Sequence, residues 1–414
     1  MKRNVFLSVV AFMVTLSFMY AQSNVSDVYS QGTMNDATVV QHGNMNNSDV
    51  DQLGWWNSAV VSQKGHANDV MIDQVGILNT AKASQEGNGN MSRQTQRDWS
   101  NYAEVEQNGK GNLAVQNQAG GFLFGSDAYI DQEGEGNEAF QVQRGSWNYA
   151  DAEQNGTDNY SVQHQFGMSN MSMVDQNGEG HMAYEFQNGF GNYSDTKQRS
   201  TGQLSVVYQD GFYNAQSTFQ TGKENEAYTL QFGKANFSET VQHGNGNMAL
   251  TDQMGKRNEA FTSQTGHGNL SMITQMGYKN SASTTQSAKG NESYVLQVGD
   301  KNDQTTYQTG NSNQSWIAQY GEGNIADTEQ HGNSGWSKLL QMGEENEAYL
   351  DQRGKENFSL ISQYGTSNFA DVIQRGMGNQ SNVLQIGYGN EAYVEQHGGG
   401  GNGSGNCGNG GNHN

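Results

Sequence analysis

Residues 341–352 read Gln341-Met342-Gly343-Glu344-Glu345-Asn346-Glu347-Ala348-Tyr349-Leu350-Asp351-Gln352, and this stretch decides the fold. Counted from its first glutamine, it places glycine at position 3, asparagine at 6, alanine at 8 and an aliphatic residue at 10, then returns to glutamine after eleven residues. The restricted positions 6, 8, 10 and the next 1 stand two apart, the alternation of a β-strand with one face turned inward. Eleven is also the period of right-handed helical coiled coils. A helix, however, needs spacings of three and four. A glycine in every third turn would also cost it roughly 1 kcal/mol apiece. The strand reading wins.

The same pattern runs outward in both directions. Glutamine recurs at Gln41, Gln52, Gln63, Gln74, Gln85, Gln96, Gln107 and Gln118, then, after a three-residue insertion near residues 121–125, every eleven residues from Gln132 to Gln396. With Ser30 standing in for the first glutamine, 33 units cover residues 30–395, preceded by a short segment, 22–29. Position 3 is glycine in 30 of them, the exceptions being Asp98, Ser200 and Ala288. Position 6 is asparagine in 29, the exceptions being Leu123, His181, Gln203 and Gly335. Position 10 is β-branched in 24. Position 8 alternates over the last units (Ser315, Ala326, Ser337, Ala348, Ser359, Ala370, Ser381, Ala392), a second period of 22. Two unlike strands per rung account for it.

These regularities predict an all-β solenoid of about sixteen to seventeen strand-turn-strand-turn rungs. Its two parallel sheets face each other, and at ~4.8 Å per rung the rod is roughly 75–80 Å long. Each strand is expected to run from position 6 to the next position 1, with a four-residue turn at positions 2–5. The interior is poor in aliphatic mass, so stacked amides must hold it, as in cross-β ladders. The expected ladder residues are Gln132, Gln143, Gln154, Gln231, Gln242, Gln253, Gln341, Gln352, Gln363, Gln374 and Gln385. With them go Asn137, Asn148, Asn159, Asn236, Asn247, Asn258, Asn346, Asn357, Asn368, Asn379 and Asn390. The expected turn glycines are Gly343, Gly354, Gly365, Gly376 and Gly387.

Composition agrees. The chain has 414 residues, only 33% hydrophobic, with 54 glycines and no proline. Low hydrophobicity alone suggests disorder, but disordered chains are rich in proline. An unbroken backbone ladder cannot accept proline, which has no N–H to donate. With 21 basic against 42 acidic residues the net charge is −21, opposite in sign to a nucleic-acid footprint. The single cysteine, Cys407, excludes an intrachain disulfide framework and a cysteine zinc module.

Lys2 and Arg3 precede an apolar run over residues 5–20 ending near Ala21, the layout of a secretory signal peptide over residues 1–21. The run is too short for a stable anchor, and no membrane insertion is expected after cleavage. Residues 396–414 form a Gly/Asn-rich tail.

Residues 341–348, and likewise Gln385-Ile386-Gly387-Tyr388-Gly389-Asn390-Glu391-Ala392, resemble the curlin repeat of curli-type bacterial amyloid fibre subunits. The resemblance spans residues 30–395. It implies a two-sheet solenoid whose copies stack end to end into extracellular, cell-attached fibres serving biofilm matrix and adhesion. It also implies export through an outer-membrane pore, with accessory factors and a nucleator subunit as partners. The chain differs in carrying many more repeats than usual, and in having its Gly/Asn-rich segment at the C-terminus.

Other readings are weaker. A monomeric surface rod or adhesin would use the same solenoid. An ice- or surface-binding face needs outward threonine columns, and the run from Thr196 to Thr328 at position 10 points inward. Outward Tyr228, Phe261, Trp316 and Tyr349 could hold glycans, but scattered aromatics more often pack along a sheet. No catalytic, cofactor or metal residues are expected. His42, His243, His331 and His397 share position 2 but lie many rungs apart. The nine-residue calcium-roll repeat is absent, and the glycines of the tail follow no strand-to-helix context for a dinucleotide.

Overall fold

The computed structural model describes residues 23–121 and 124–398. The expected signal peptide, Leu123, Cys407 and most of the C-terminal tail lie outside the described residues. Thirty-four strands, β1 (Val25–Thr33) to β34 (Glu391–Gly398), follow one another with no helix among the described residues. Odd-numbered strands form one parallel sheet of 17 and even-numbered strands the other. Each strand pairs in register with the one 22 residues on, as in Gln341 with Gln363 and Ala348 with Ala370. A rung is therefore two units, as the 22-residue alternation required, and the molecule is a 17-rung β-solenoid.

The expected boundary between strand and turn needs correction. In β30 (Glu347–Lys355) the strand begins at position 7 and continues through Gln352 and Gly354 to position 4. Pairing to the next rung does not stop at the glycine. Gly343, with φ 128°, stays opposite Gly365, and a Cβ placed on it would lie 1.9 Å from the Gly365 carbonyl oxygen. Glycine is required there by close stacking as well as by its backbone angle.

The chain reverses at positions 5 and 6 instead. Position 5 is left-handed, φ 53° at Glu345 and 54° at Ser367, a conformation costing a non-glycine residue roughly 1 kcal/mol. Both sides of the reversal remain tied to neighbouring rungs. Glu345 N–H donates to the Glu322 carbonyl at 2.9 Å and Glu347 N–H to the Asn368 carbonyl at 2.8 Å.

Strand structure also starts ahead of the first counted unit, because β1 includes residues 25–29. The insertion is absorbed in one turn. Gln107 pairs with Gln132, 25 residues on, and Ser126 rather than Leu123 takes the asparagine place, its N–H donating to Asn101 Oδ1 at 3.1 Å. Phe124 packs on Trp147 beside it, ring centroids 4.6 Å apart.

Inward positions 6, 8, 10 and 1 are buried, and 7, 9 and 11 face out. The interior is apolar near the ends of the described solenoid, where Val50 to Ala83 and Ile317 to Val383 form separate clusters. The threonines from Thr196 to Thr328 at position 10 are buried, so they form no outer face.

Candidate functional site

Position 1 builds two glutamine columns, one along each sheet. In the odd sheet, Nε2 of each glutamine donates to Oε1 of the next from Gln52–Gln74 to Gln363–Gln385, both at 2.9 Å. Gln143, Gln231, Gln253 and Gln341 belong to this column. In the even sheet the chain of donors runs from Gln41–Gln63 at 2.8 Å to Gln374–Gln396 at 2.7 Å, through Gln132, Gln154, Gln242 and Gln352. Amides within the columns are bonded on several sides, whereas Gln52 Oε1, at the N-terminal start of the odd column, has no partner. Gln341 Nε2 also donates to the Ile325 carbonyl at 2.8 Å and the Asn346 carbonyl at 2.9 Å. An orphaned amide here would cost roughly 1–3 kcal/mol.

Position 6 builds two asparagine columns running with the opposite polarity. Asn346 Nδ2 donates back to Asn324 Oδ1 and across to the Gly365 carbonyl, both at 2.9 Å, and Asn346 Oδ1 accepts from Asn368 Nδ2 at 2.8 Å. Asn148, Asn236, Asn258, Asn368 and Asn390 share that column. Asn137, Asn159, Asn247, Asn357 and Asn379 form the other. The second column contains all three substitutions among the described asparagine places except Ser126. His181 Nδ1 accepts from the Gln203 N–H at 3.2 Å, and Gln203 Oε1 accepts from the Asn225 N–H at 3.2 Å, so both preserve the contact. Gly335 brings no side chain to it. Gly354, Gly376 and Gly387 stand in the glycine stacks with Gly343 and Gly365, and the carbonyls of Gly365, Gly376 and Gly387 accept from asparagine Nδ2.

Two inward features escaped the sequence reading. Gln94, Gln116, Gln141 and Gln163, at position 10 of successive odd strands, make a third, shorter glutamine column. On the next rung the same place holds Glu185, fully buried. Its Oε2 accepts from the Ser172 hydroxyl, and its Oε1 has no partner. Burial, opposed by hydroxyl hydrogen bonds, pushes its pKa up to about 7. The signal was present as the one acidic residue at a position that is otherwise β-branched, aliphatic or amide.

Outward, position 11 carries a carboxylate column in which Asp131 faces Glu106 and Glu153, and Glu153 faces Asp175. Burial first, then Glu106 and Glu153, raise the Asp131 pKa. Arg199 ends the column by an ion pair with Asp175. Elsewhere Glu329, His331 and Asp351 bring ligand atoms within 4.8 Å of one another, but Arg353 holds Asp351 at 3.0 Å. The outward aromatics pack along the sheets, Trp316 on Tyr294 at 4.0 Å, Phe261 on Phe237 at 5.5 Å and Tyr349 on Phe369 at 5.8 Å.

The profile of the Curlin associated repeat matches residues 32–65, 46–76, 65–96, 145–178, 244–277 and 365–398. Six stretches of the chain are thus similar to the curlin repeat. The matches fall at both ends and in the middle of the solenoid, and the units between them keep the same register and the same ladders. Comparison with curated proteins gives no match.

The two ends of the rod are open among the described residues, where β1 pairs only with the strand 22 residues on, and β34 only with the strand 22 residues before. Each end is thus an unpaired strand edge, the feature that templates further chains. No helix of the described residues is long and apolar enough to cross a membrane.

Proposed function

We propose that this curlin-repeat chain is an exported structural subunit that polymerises end to end into curli-like extracellular fibres, and that it performs no catalysis. The fit between its two ends carries the reading. Continuing the 22-residue register beyond β33 (Gln380–Tyr388) and β34 places them against β1 and β2 (Asp36–Asn44) of a second copy. Asn379, Ser381, Val383 and Gly387 then meet Asn24, Ser26, Val28 and Gly32. On the other sheet Asn390, Ala392, Val394, Gln396 and Gly398 meet Asn35, Ala37, Val39, Gln41 and Gly43. Every pair is identical. Gln385 over Ser30 is the one inward mismatch, and Gln385 Nε2 already donates to the Phe369 and Asn390 carbonyls.

The ladders also give the junction a direction. Glutamine columns donate toward the C-terminal end and asparagine columns toward the N-terminal end. A C-terminal face thus offers a Gln396 donor and asparagine acceptors, the complement of the N-terminal face. Head-to-head contact would set like groups against like. The amide columns are, in this reading, continuous through the fibre.

Export rests on the charged and apolar N-terminal sequence. Biofilm matrix, adhesion, an outer-membrane pore, accessory factors and a nucleator rest on the curlin repeat alone. The test is residues 22–414 diluted from denaturant and followed by amyloid-dye fluorescence and electron microscopy. Sigmoidal growth shortened by seeds and ending in unbranched fibres is expected. Val394→Lys, which puts an ammonium into the junction, should stop elongation while leaving the solenoid's circular dichroism intact. A β-rich species that stays monomeric with seeds present would replace this reading with a surface rod or adhesin.

A further inference from the structure

Two histidines near the ends of the rod lie at position 2 of the two strands that would meet in the fibre. His42 is on β2 and His397 on β34, both exposed and both in the even sheet. Within one copy they are separated by the whole rod. In the register of the proposed stacking they become direct cross-strand neighbours, with backbones ~4.8 Å apart. We propose that each subunit junction forms a site for a borderline-soft divalent cation such as Zn2+, with His397 and Glu395 of one copy and His42 of the next as ligands. The site rests on the end-to-end reading and is incomplete in a single copy.

Three observations support it. First, Glu395 Oε1 already lies 2.8 Å from His397 Nε2, so two ligand atoms converge on one side of the junction. At Zn–N and Zn–O distances of about 2.0–2.2 Å, ligand atoms sharing an ion stand ~3 Å apart, and imidazole with carboxylate suits zinc. Second, the same arrangement inside the rod shows that positions 11 and 2 reach a common point. Glu329 Oε2 is 3.2 Å from His331 Nε2, and the position-11 carboxylate of the adjacent rung, Asp351, joins them.

Third, what blocks the internal group is removed at the junction. His331 is faced in register by Arg353, a cation that pairs with Asp351. At the junction the neighbour of His397 is instead a second imidazole, and the residue two before it, Val40, is uncharged. Lys64, the inner neighbour of His42, is drawn off by Glu86 at 2.6 Å. Arg375, the inner neighbour of His397, is the one opposing charge, one strand away from the junction.

A cation bound only at the junction favours polymer over monomer by mass action. At free zinc about a hundredfold above its dissociation constant, the monomer concentration in equilibrium with fibres should fall about a hundredfold. The experiment measures that concentration, and zinc retained by washed fibres, for seeded growth of residues 22–414 in zinc or chelator. Wild-type fibres should retain about one more zinc per subunit than His42→Ala or His397→Ala fibres. Both variants should grow in chelator like wild type and lose the zinc response, while His331→Ala keeps it. Fibres that grow normally but ignore zinc, or respond equally in the His42 and His397 variants, overturn the site and leave the stacking untouched. Failure of every variant and the wild type to form fibres overturns both.

Discussion

Between Ile317 and Val383 the interior of the rod carries a hydrocarbon cluster, with Ile317, Leu339, Leu350, Ile361 and Val372 packed around alanines, interleaved with buried Thr328, Ser337, Ser359 and Ser381. Between Ser161 and Gln220 the same inward places hold Ser161, Gln163, Ser172, Glu185, Ser194, Thr196, Ser205, Gln216 and Thr218, all buried. Val174 and Val207 are there too, but belong to none of the hydrophobic clusters. Yet both glutamine columns pass through the two regions unbroken. Positions 1, 3 and 6 therefore specify the rung, and positions 8 and 10 fill whatever space it leaves. Hydrocarbon adds stability where it is present, and its absence does not unmake the fold.

The largest effect should be confined to one region. Leu350→Ala removes a buried side chain from the apolar cluster and is expected to cost about 3–4 kcal/mol. At the corresponding even-strand place in the polar region, Thr218→Ala removes little hydrocarbon but orphans Gln216 Oε1, to which the hydroxyl donates at 2.9 Å, and should cost about 1–2 kcal/mol. Hydrogen exchange resolved by strand reads both, since local opening energies differ along such a rod. Equal losses would break the comparison.

Glu185 gives the polar interior a pH dependence that the hydrocarbon of the apolar cluster cannot supply. An acid whose pKa rises on folding, here from 4.5 to about 7, binds more protons folded than unfolded between those values. Stability contributed by the protonated form is complete below pH 4.5, is lost as pH rises toward 7, and stays lost above it. The difference is up to about 3 kcal/mol. Asp195, on the facing strand, adds a smaller push in the same direction. Glu185→Gln extends the column that ends at Gln163 and should abolish the dependence, protecting the surrounding strands at pH 8 and leaving pH 4.5 unchanged. Exchange rates around Glu185 that do not vary with pH in the wild type would refute this.

The ladders should behave alike in both regions. Gln187 and Gln363 each accept from one glutamine and donate to the next, at 2.9 Å in every case. Replacing either by leucine leaves amide or carbonyl groups unpaired inside the rod, at about 2 kcal/mol. A Gln363→Leu variant much better tolerated than Gln187→Leu would mean that hydrocarbon can take over from the column.

The repeat, the two-sheet pairing and the ladder positions were legible because each is a periodic constraint, and stacking forces every rung to obey it. The turn was misplaced because glycine at position 3 was read as the reversal itself. A hydrogen-bonded ladder that continues past a bent glycine leaves no trace in a sequence, whereas the left-handed residue at position 5 is only sometimes glycine, as at Gly378 and Gly389. Glu185 was hidden by averaging, since a consensus suppresses the one unit that departs from it. His42 and His397 lie far apart along the chain, and only the proposed stacking of copies would make them neighbours.

The outer faces separate the regions by smaller amounts. Asp131 stands between Glu106 and Glu153 in the carboxylate column, and burial with those neighbours raises its pKa. Stability associated with its protonated form is lost as pH rises through the range just above that of an ordinary carboxylate. Like charges directly opposite on adjacent strands cost some tenths of a kcal/mol, so Asp131→Asn should stabilise its rungs by about 0.5 kcal/mol. Asp351, in the C-terminal region, is instead held by Arg353 at 3.0 Å. Asp351→Asn should therefore destabilise by a few tenths, the usual worth of an exposed pair. Salt screens both at short range, so the two opposite changes should shrink together as ionic strength rises from 0.01 to ~1 M. A strand-resolved exchange series that finds the same sign for both variants would show that the outer charges do not distinguish the regions, leaving the interior as the sole difference between them.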